Sequence, residues 1–354
     1  MDVGLIGSQG SGKTTIFNLL TGALQSTSAY GGRAEAHRGA ASVPDPRLLV
    51  LAEMYHPRKL TPAQIQVVDV PGLTRTGSEG PNRFLNEVRA VDALVHVLRG
   101  FENGLGEPAD ALHAATDMEL ELSLADLDAL MKRRERLTGG KKVTQEAREE
   151  LVLIDRLIPV LEEGGRLDSV ALEPHEDRML RGYQFLTLKS MVWVVNVADA
   201  DMAAGRFPDD EELRRLAETK GIPLVTMAGQ WEMEAGQLDE SERGEFLAQV
   251  GIAETGVSRL ARAVYQHLGL ISFLTAGEDE VRAWTIERGT PAKAAAGKIH
   301  SDIERGFIRA EVVAYRDLQA AGSMAAARER GAVRMEGKEY IMQDGDVVNF
   351  RFNV

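Results

Sequence analysis

The sequence predicts an α/β protein: a mostly parallel sheet with helices on both faces, an inserted antiparallel helical hairpin, and a C-terminal mixed α+β module. Three observations predict it. Short β-branched runs alternate with helix-like stretches, as in a sheet covered on both sides. A glycine-rich loop, GSQGSGKT (7–14), joins the first such run to the first helix. From residue 117 the apolar spacing changes to that of paired helices.

In chain order, Asp2–Ile6 is a short strand and Lys13–Leu20 has helical spacing. Ile65–Val70, Ala93–Leu98, Met191–Val197 and Pro223–Met227 read as further buried strands. Between the third and fourth of these five strands, Leu120, Leu124, Leu127 and Met131 recur at alternating steps of four and three residues. After the turn Thr138-Gly139-Gly140, Leu151, Ile154, Ile158 and Leu161 do the same. The two runs are expected to face each other as the seam of the hairpin. Its tip carries Lys132, Arg133, Arg134, Arg136, Lys141 and Lys142, readable as a solvated tip or as a docking surface for an acidic partner. Near the C-terminus, Thr290 is expected to cap a short helix with Pro291 in its first turn. Phe307–Val313, Tyr340–Met342 and Val347–Phe352 alternate like strands, with Asp344-Gly345 as a turn between the last two. The expected division is 1–115 with 190–274, then 116–189 as the inserted hairpin, then 275–354.

A chain of 354 residues is too long for one ordinary core, and its 44% apolar and 27% charged residues are ordinary for a soluble protein. With no cysteine, disulfides, thiolate zinc sites and thiol nucleophiles are excluded, which fits a reducing cytoplasm. No basic leader precedes an apolar stretch at the N-terminus, and no apolar run is long enough to span a bilayer, so no membrane partner is expected. The net charge of −13 argues against an electrostatic clamp on nucleic acid, and DNA is not an expected partner. Residues 275–354 hold 12 basic and 13 acidic side chains, leaving −12 on the first 274. An RNA or ribosome contact would rest on local basic patches, with the C-terminal part the less repulsive place.

The motifs specify a nucleotide site. In Gly7-Ser8-Gln9-Gly10-Ser11-Gly12-Lys13-Thr14-Thr15, the glycines let successive N–H groups turn around a β-phosphate at a helix N-terminus. Lys13 reaches the β- and γ-phosphates, and the Thr14 hydroxyl can ligate Mg2+. Asp69-Val70-Pro71-Gly72 closes a strand some 55 residues later, so Asp69 can hold the magnesium shell and the Gly72 N–H can approach the γ-phosphate. Lys13 and Gly72 are thus the candidate catalytic residues. Asn196-Val197-Ala198-Asp199 has the Asn-x-x-Asp form of a base reader, with Val197 where guanine-specific enzymes place a Lys over the ring. Ala228-Gly229, in a loop after the next strand, is the fourth element of the base site. Asp199 keeps guanine open, so these residues leave ATP and GTP both standing.

These residues resemble the YchF/Obg-like ATPases, a branch of the Obg-type P-loop NTPases. The resemblance rests on the phosphate loop followed by IFNLLTG, on VPDPRLLVLAE (43–53), VVDVPGL (67–73) and FLNEVRAVDALVHVLRGFEN (84–103), and on residues 269–313 and 337–354. The last two stretches are similar to a TGS domain, a β-grasp module. The resemblance implies a P-loop NTPase fold, ATP in preference to GTP, slow hydrolysis, and association with ribosomes and translation. Leu73 occupies the place of the water-orienting glutamine of Ras-like enzymes, as is usual in the family. Three departures stand out. Gly10 replaces an Asn associated with potassium, Arg33 falls near the magnesium-contacting switch Thr, and Pro108 falls where the family often has a His. Arg33 reads either as a γ-phosphate contact or as a loop residue, and the nearby His113 as a surface or helix-packing residue.

Two other readings remain: a GTPase of the same fold, and a binding module that nucleotide stabilises with little hydrolysis. His96 reads as a strand histidine, and Trp193 and Trp284 as core. Arg282, Lys293, Lys298, Arg305 and Arg309 form a possible basic face in the C-terminal module, with acidic residues between them.

Overall fold

The computed structural model describes residues 1–23, 37–70, 80–104, 106–139, 144–252 and 254–353. The strands, in chain order, are β1 (Asp2–Ile6), β2 (His37–Val43), β3 (Lys59–Thr61), β4 (Ala63–Asp69), β5 (Ala93–Gly100) and β6 (Met191–Val197). There follow β7 (Leu224–Met227), β8 (Leu270–Ala276), β9 (Glu280–Glu287), β10 (Phe307–Ala314), β11 (Arg334–Glu336) and β12 (Asp346–Phe352). The chain divides into two compact units, Met1–Gly39 with Gln66–Leu260, and Ala40–Ile65 with Ala261–Val354.

The first sheet has the order β2-β4-β1-β5-β6-β7, and β1, β4, β5, β6 and β7 pair in parallel. Every residue of β5 and β6 is buried, the mark of a parallel sheet covered on both faces. Helix α1 (Lys13–Thr21) opens directly from the glycine loop. Helix α2 (Pro46–Tyr55) is capped by Asp45, whose carboxylate accepts the Arg47 N–H, with proline in the first turn. Helix α3 (Gly80–Ala90) places Phe84 and Val88 against Leu94, Leu98, Trp193 and Val195 of the sheet.

The hairpin is formed by α4 (Ala111–Thr138) and α5 (Gln145–Glu162), but its face differs from the expected one. Leu120, Leu124 and Met131 are 55%, 51% and 54% exposed. The buried face of α4 is instead Ala115, Met118, Glu119, Leu122, Ser123, Asp126 and Leu130. Three of those seven are polar, and each is buried because it has a partner. Glu119 meets Arg166 at 3.0 Å, Ser123 donates to the Gly165 carbonyl at 3.5 Å, and Asp126 accepts the Leu186 and Thr187 N–H groups at 3.0 and 2.8 Å. A count of apolar positions alone therefore selects the wrong stripe. On α5 the expected Ile154 and Leu161 are buried, with Leu153 and Leu157 beside them.

The second sheet has the order β11-β10-β12-β8-β9-β3. β8–β9 and β10–β12 are antiparallel, while β12–β8 and β3–β9 are parallel. Its core gathers Phe273, Ile286, Ala295, Val312 and Phe350 under the helix Ala292–Ile299. Several expectations need correction here. Pro291, not Thr290, is the N-cap of that helix, and the Thr290 hydroxyl donates to the Glu287 carbonyl at 2.6 Å. Residues 340–342 form no strand, only a single bridge between Ile341 and Pro291. The expected boundary at 274/275 falls inside β8, and β3, placed by sequence in the first segment, joins the second sheet. Its three residues are too few and too polar to announce a strand. Among the described residues no helix is long and apolar enough to cross a membrane.

Candidate nucleotide-binding site

The loop that leaves β1 turns on three glycines, two of which, Gly7 and Gly12, leave no room for a Cβ. Gly7, Gly10 and Gly12 have φ of 152°, 77° and 89°. A Cβ on Gly7 would lie 2.5 Å from the Val97 carbonyl, and one on Gly12 only 2.2 Å from the Asn196 amide nitrogen. Gln9 and Gly10 are exposed, Ser8 is half-buried, and Ser11 is fully buried. Helix α1 begins at Lys13, so its first-turn N–H groups and positive dipole end face the loop.

Lys13, Thr14 and Asp69 converge. The Thr14 hydroxyl donates to Asp69 Oδ2 at 3.0 Å, and Lys13 Nζ stands 3.9 Å from Asp69 Oδ1. Pairing of β4 with β1 in parallel brings this carboxylate beside the loop. Burial pushes the Lys13 ammonium below its ordinary pKa, against the opposing pull of Asp69. Asp69 is 8% exposed, and its Oδ1 has no hydrogen-bond partner. A buried, half-satisfied carboxylate next to a hydroxyl is a hard-oxygen donor set of the kind that would suit Mg2+.

On the base side the residues separate. Asn196, at the end of β6, donates from Nδ2 to the Ser11 carbonyl at 3.3 Å and accepts the Gly229 N–H at Oδ1 at 3.0 Å. Its amide therefore ties the phosphate loop to the loop after β7, and the ideal Cβ of Gly229 would lie 3.5 Å from Thr15. Ala228 is fully buried. Val197 is not where a base lid would lie: it is 3% exposed and packs in the core with Leu98 and Phe207. As the last residue of a strand buried on both faces, its side chain is consumed by the core. Asp199 follows at the start of the helix Asp199–Ala204, with Oδ1 buried and unbonded. Burial first, and then the Glu234 charge, raise its pKa against a Trp231 N–H hydrogen bond.

Gly72, Leu73 and Arg33 lie outside the described residues, as do Lys141 and Lys142 at the hairpin tip. At that tip Lys132, Arg133 and Arg134 pair with Asp128, Glu150 and Asp155 at 2.7, 2.8 and 2.7 Å, so most of its described charge is spent internally. His113 is exposed on α4 and lies 3.6 Å from Asp117. His96 is fully buried with its pKa driven down to about 3 by desolvation, a neutral strand residue. Trp193 is core, whereas Trp284 is half-buried with the Arg282 guanidinium 3.8 Å from its ring centroid. Sequence reading missed a hydrogen-bonded turn, residues 99–107, that comes near Gly10. Arg99 donates to the Glu107 carbonyl at 2.9 Å, Asn103 Nδ2 donates to Glu107 Oε2 at 2.6 Å, and Asn103 Oδ1 accepts the Glu107 backbone N–H at 3.0 Å. Asn103 Nδ2 lies 3.9 Å from the ideal Cβ of Gly10. No motif spacing marks these residues, because hydrogen bonds across a turn leave no period in the sequence.

The geometry has known counterparts. Residues 2–133 match the family model described as 50S ribosome-binding GTPase, and residues 270–353 match YchF-GTPase_C, described as a protein of unknown function. The chain is 40% identical to "Ribosome-binding ATPase YchF" of Haemophilus ducreyi, over 99% of each chain. It is 37% identical to the protein of the same name from Bacillus subtilis, over the full length of both. The structure of the Schizosaccharomyces pombe YchF GTPase superposes with a TM-score of 0.87 at 28% identity, covering 99% of this chain and 97% of that one. With a solved fold and curated relatives agreeing from end to end, this chain belongs to the YchF family.

Proposed function

We propose that the chain is a Mg2+-dependent purine-nucleotide switch that prefers ATP, hydrolyses it slowly, and works with the ribosome in the cytoplasm. The observation that carries this reading is the convergence of Lys13 and Thr14 on Asp69 beside a glycine loop in which Gly7 and Gly12 have no room for a Cβ. In it, Lys13 neutralises the β- and γ-phosphates, Thr14 and Asp69 hold the metal, and Ser8 to Thr15 supply N–H donors. The metal adds charge neutralisation at the transferring phosphoryl group. Asn196 holds the two loops that border the base, and Asp199 faces it. Gly72, outside the described residues, completes the γ-phosphate contact in this reading. The ATP preference and the ribosomal partner come from the names of the bacterial relatives, ribosome-binding ATPases. The division into a nucleotide domain, the hairpin 116–189 and a C-terminal TGS-like module belongs to the same proposal, with β3 added to the last.

One observation favours a second reading. The buried, unbonded Asp199 Oδ1 retains the acceptor that reads guanine N1 and N2, and the fission-yeast relative is named a GTPase. Phosphate release decides whether turnover exists at all. The wild-type chain is expected to release phosphate from Mg·ATP faster than Lys13→Ala does, with added ribosomes raising only the wild-type rate. Equal rates in the two proteins would reduce the chain to a nucleotide-stabilised binding module.

A further inference from the structure

Helix α4 carries two apolar stripes; the fold buries one and, of the other, packs only Leu127. The inner stripe, with Ala115, Met118, Leu122 and Leu130, is buried. The other consists of Leu120, Leu124, Leu127 and Met131, spaced 4, 3 and 4, the a/d repeat of a coiled-coil seam. Three of its four members are more than half exposed, while Leu127, half-buried, forms the inner edge of the stripe and packs against the core of Leu130, Ile154 and Leu157. Single exposed apolar residues are normal on a protein surface, but a run in register along three turns of one helix is not scattered. From Leu120 to Met131 it extends about 17 Å at 1.5 Å per residue.

The charges beside it select the partner. At 100° per residue, Asp117, Glu121, Asp128 and Glu135 fall on one side of the stripe and form an acidic ridge parallel to it. Two of these face a nitrogen partner on the same helix, Asp117 with His113 at 3.6 Å and Asp128 with Lys132 at 2.7 Å. On the opposite side Arg134 is engaged with Asp155 of α5. A second copy of this chain would bring like carboxylates together, at a cost rather than a gain.

We infer that the outer face of α4 is a docking seam for a basic amphipathic helix of a partner protein, its apolar residues interleaving with Leu120, Leu124, Leu127 and Met131 and its Lys or Arg residues lying along the acidic ridge. This docking needs no nucleotide, so it stands or falls separately from ATP hydrolysis.

The probe is a labelled 21-residue designed helix with Leu at a and d and Lys at e and g, alongside a twin with Glu at e and g. Fluorescence anisotropy measures its binding to the full chain and to two variants. In one, Leu120, Leu124 and Met131 are all replaced by Gln; in the other, Asp117→Asn, Glu121→Gln, Asp128→Asn and Glu135→Gln are combined. Saturable binding of the Lys helix is expected, at least tenfold weaker in each variant and at least tenfold weaker for the Glu twin. Equal binding by wild type and the Gln variant, equal binding of the two peptides, or no binding overturns the proposal. A Tm of the Gln variant within about 2 °C of wild type is expected for exposed positions. A fall above 5 °C would show that these residues are packed and overturn it. Sedimentation equilibrium that finds a wild-type dimer abolished in the Gln variant would assign the seam to a second copy instead.

Discussion

At the scale of single residues, the site is governed by what the backbone tolerates and by which charges are left half-satisfied. Gly12→Ala adds a carbon 2.2 Å from Asn196 at φ 89°, so both strain and a clash follow. The expected cost is about 2 kcal/mol in urea denaturation, together with loss of measurable nucleotide binding. Lys13→Ala is expected to lower the rate of phosphate release by about 10²–10³, the usual effect of losing one preorganised charge on the developing anion. Asn196→Ala removes both hydrogen bonds that join Ser11 to Gly229. It should cost about 1–3 kcal/mol, because two buried backbone groups lose a partner. The phosphate loop and Asp69 were legible from sequence because their chemistry demands fixed residue types at fixed spacing. Asn196 was legible as a position but not as a strut, and Arg99, Asn103 and Glu107 not at all, since hydrogen bonds across loops leave no period in the chain.

At the scale of elements, the hairpin shows how periodicity misleads when a buried face is partly polar. Both stripes of α4 satisfy an apolar repeat, and the partners of Glu119, Ser123 and Asp126 decide which one turns inward. The two faces make opposite predictions for equal truncations. Leu122→Ala is expected to cost about 2–5 kcal/mol and Leu124→Ala within about 0.5 kcal/mol, measured by chemical denaturation. In the second sheet, Glu311 on β10 accepts from Arg328, Asn349 and Arg351 at 2.8, 3.3 and 3.2 Å. Burial works against its charge, yet these donors hold its pKa below the ordinary 4.5. A depressed folded pKa contributes stability above the unfolded value that is lost as pH falls through the folded one. Wild type should therefore exceed Glu311→Gln in stability at pH 7, with the gap closing below about pH 4.5.

At the scale of the whole molecule, the fold class was readable because parallel strands buried on both faces leave continuous apolar runs, as in β5 and β6. The composition of the second unit was not. Residues 40–65 contribute α2 and β3 to it, and Thr61 on β3 donates to Glu280 at 2.6 Å across a sequence separation of 219. Long-range pairing of three residues has no local signal. Family membership and the site geometry meet in one claim, that Lys13, Thr14 and Asp69 hold a magnesium–ATP complex. Isothermal titration of the full chain with Mg·ATP and Mg·GTP, repeated on Lys13→Ala, tests it most directly. The account predicts one ATP site per chain, weaker binding of GTP, and loss of both in the variant. Tighter binding of GTP, or unchanged ATP binding in Lys13→Ala, would contradict it.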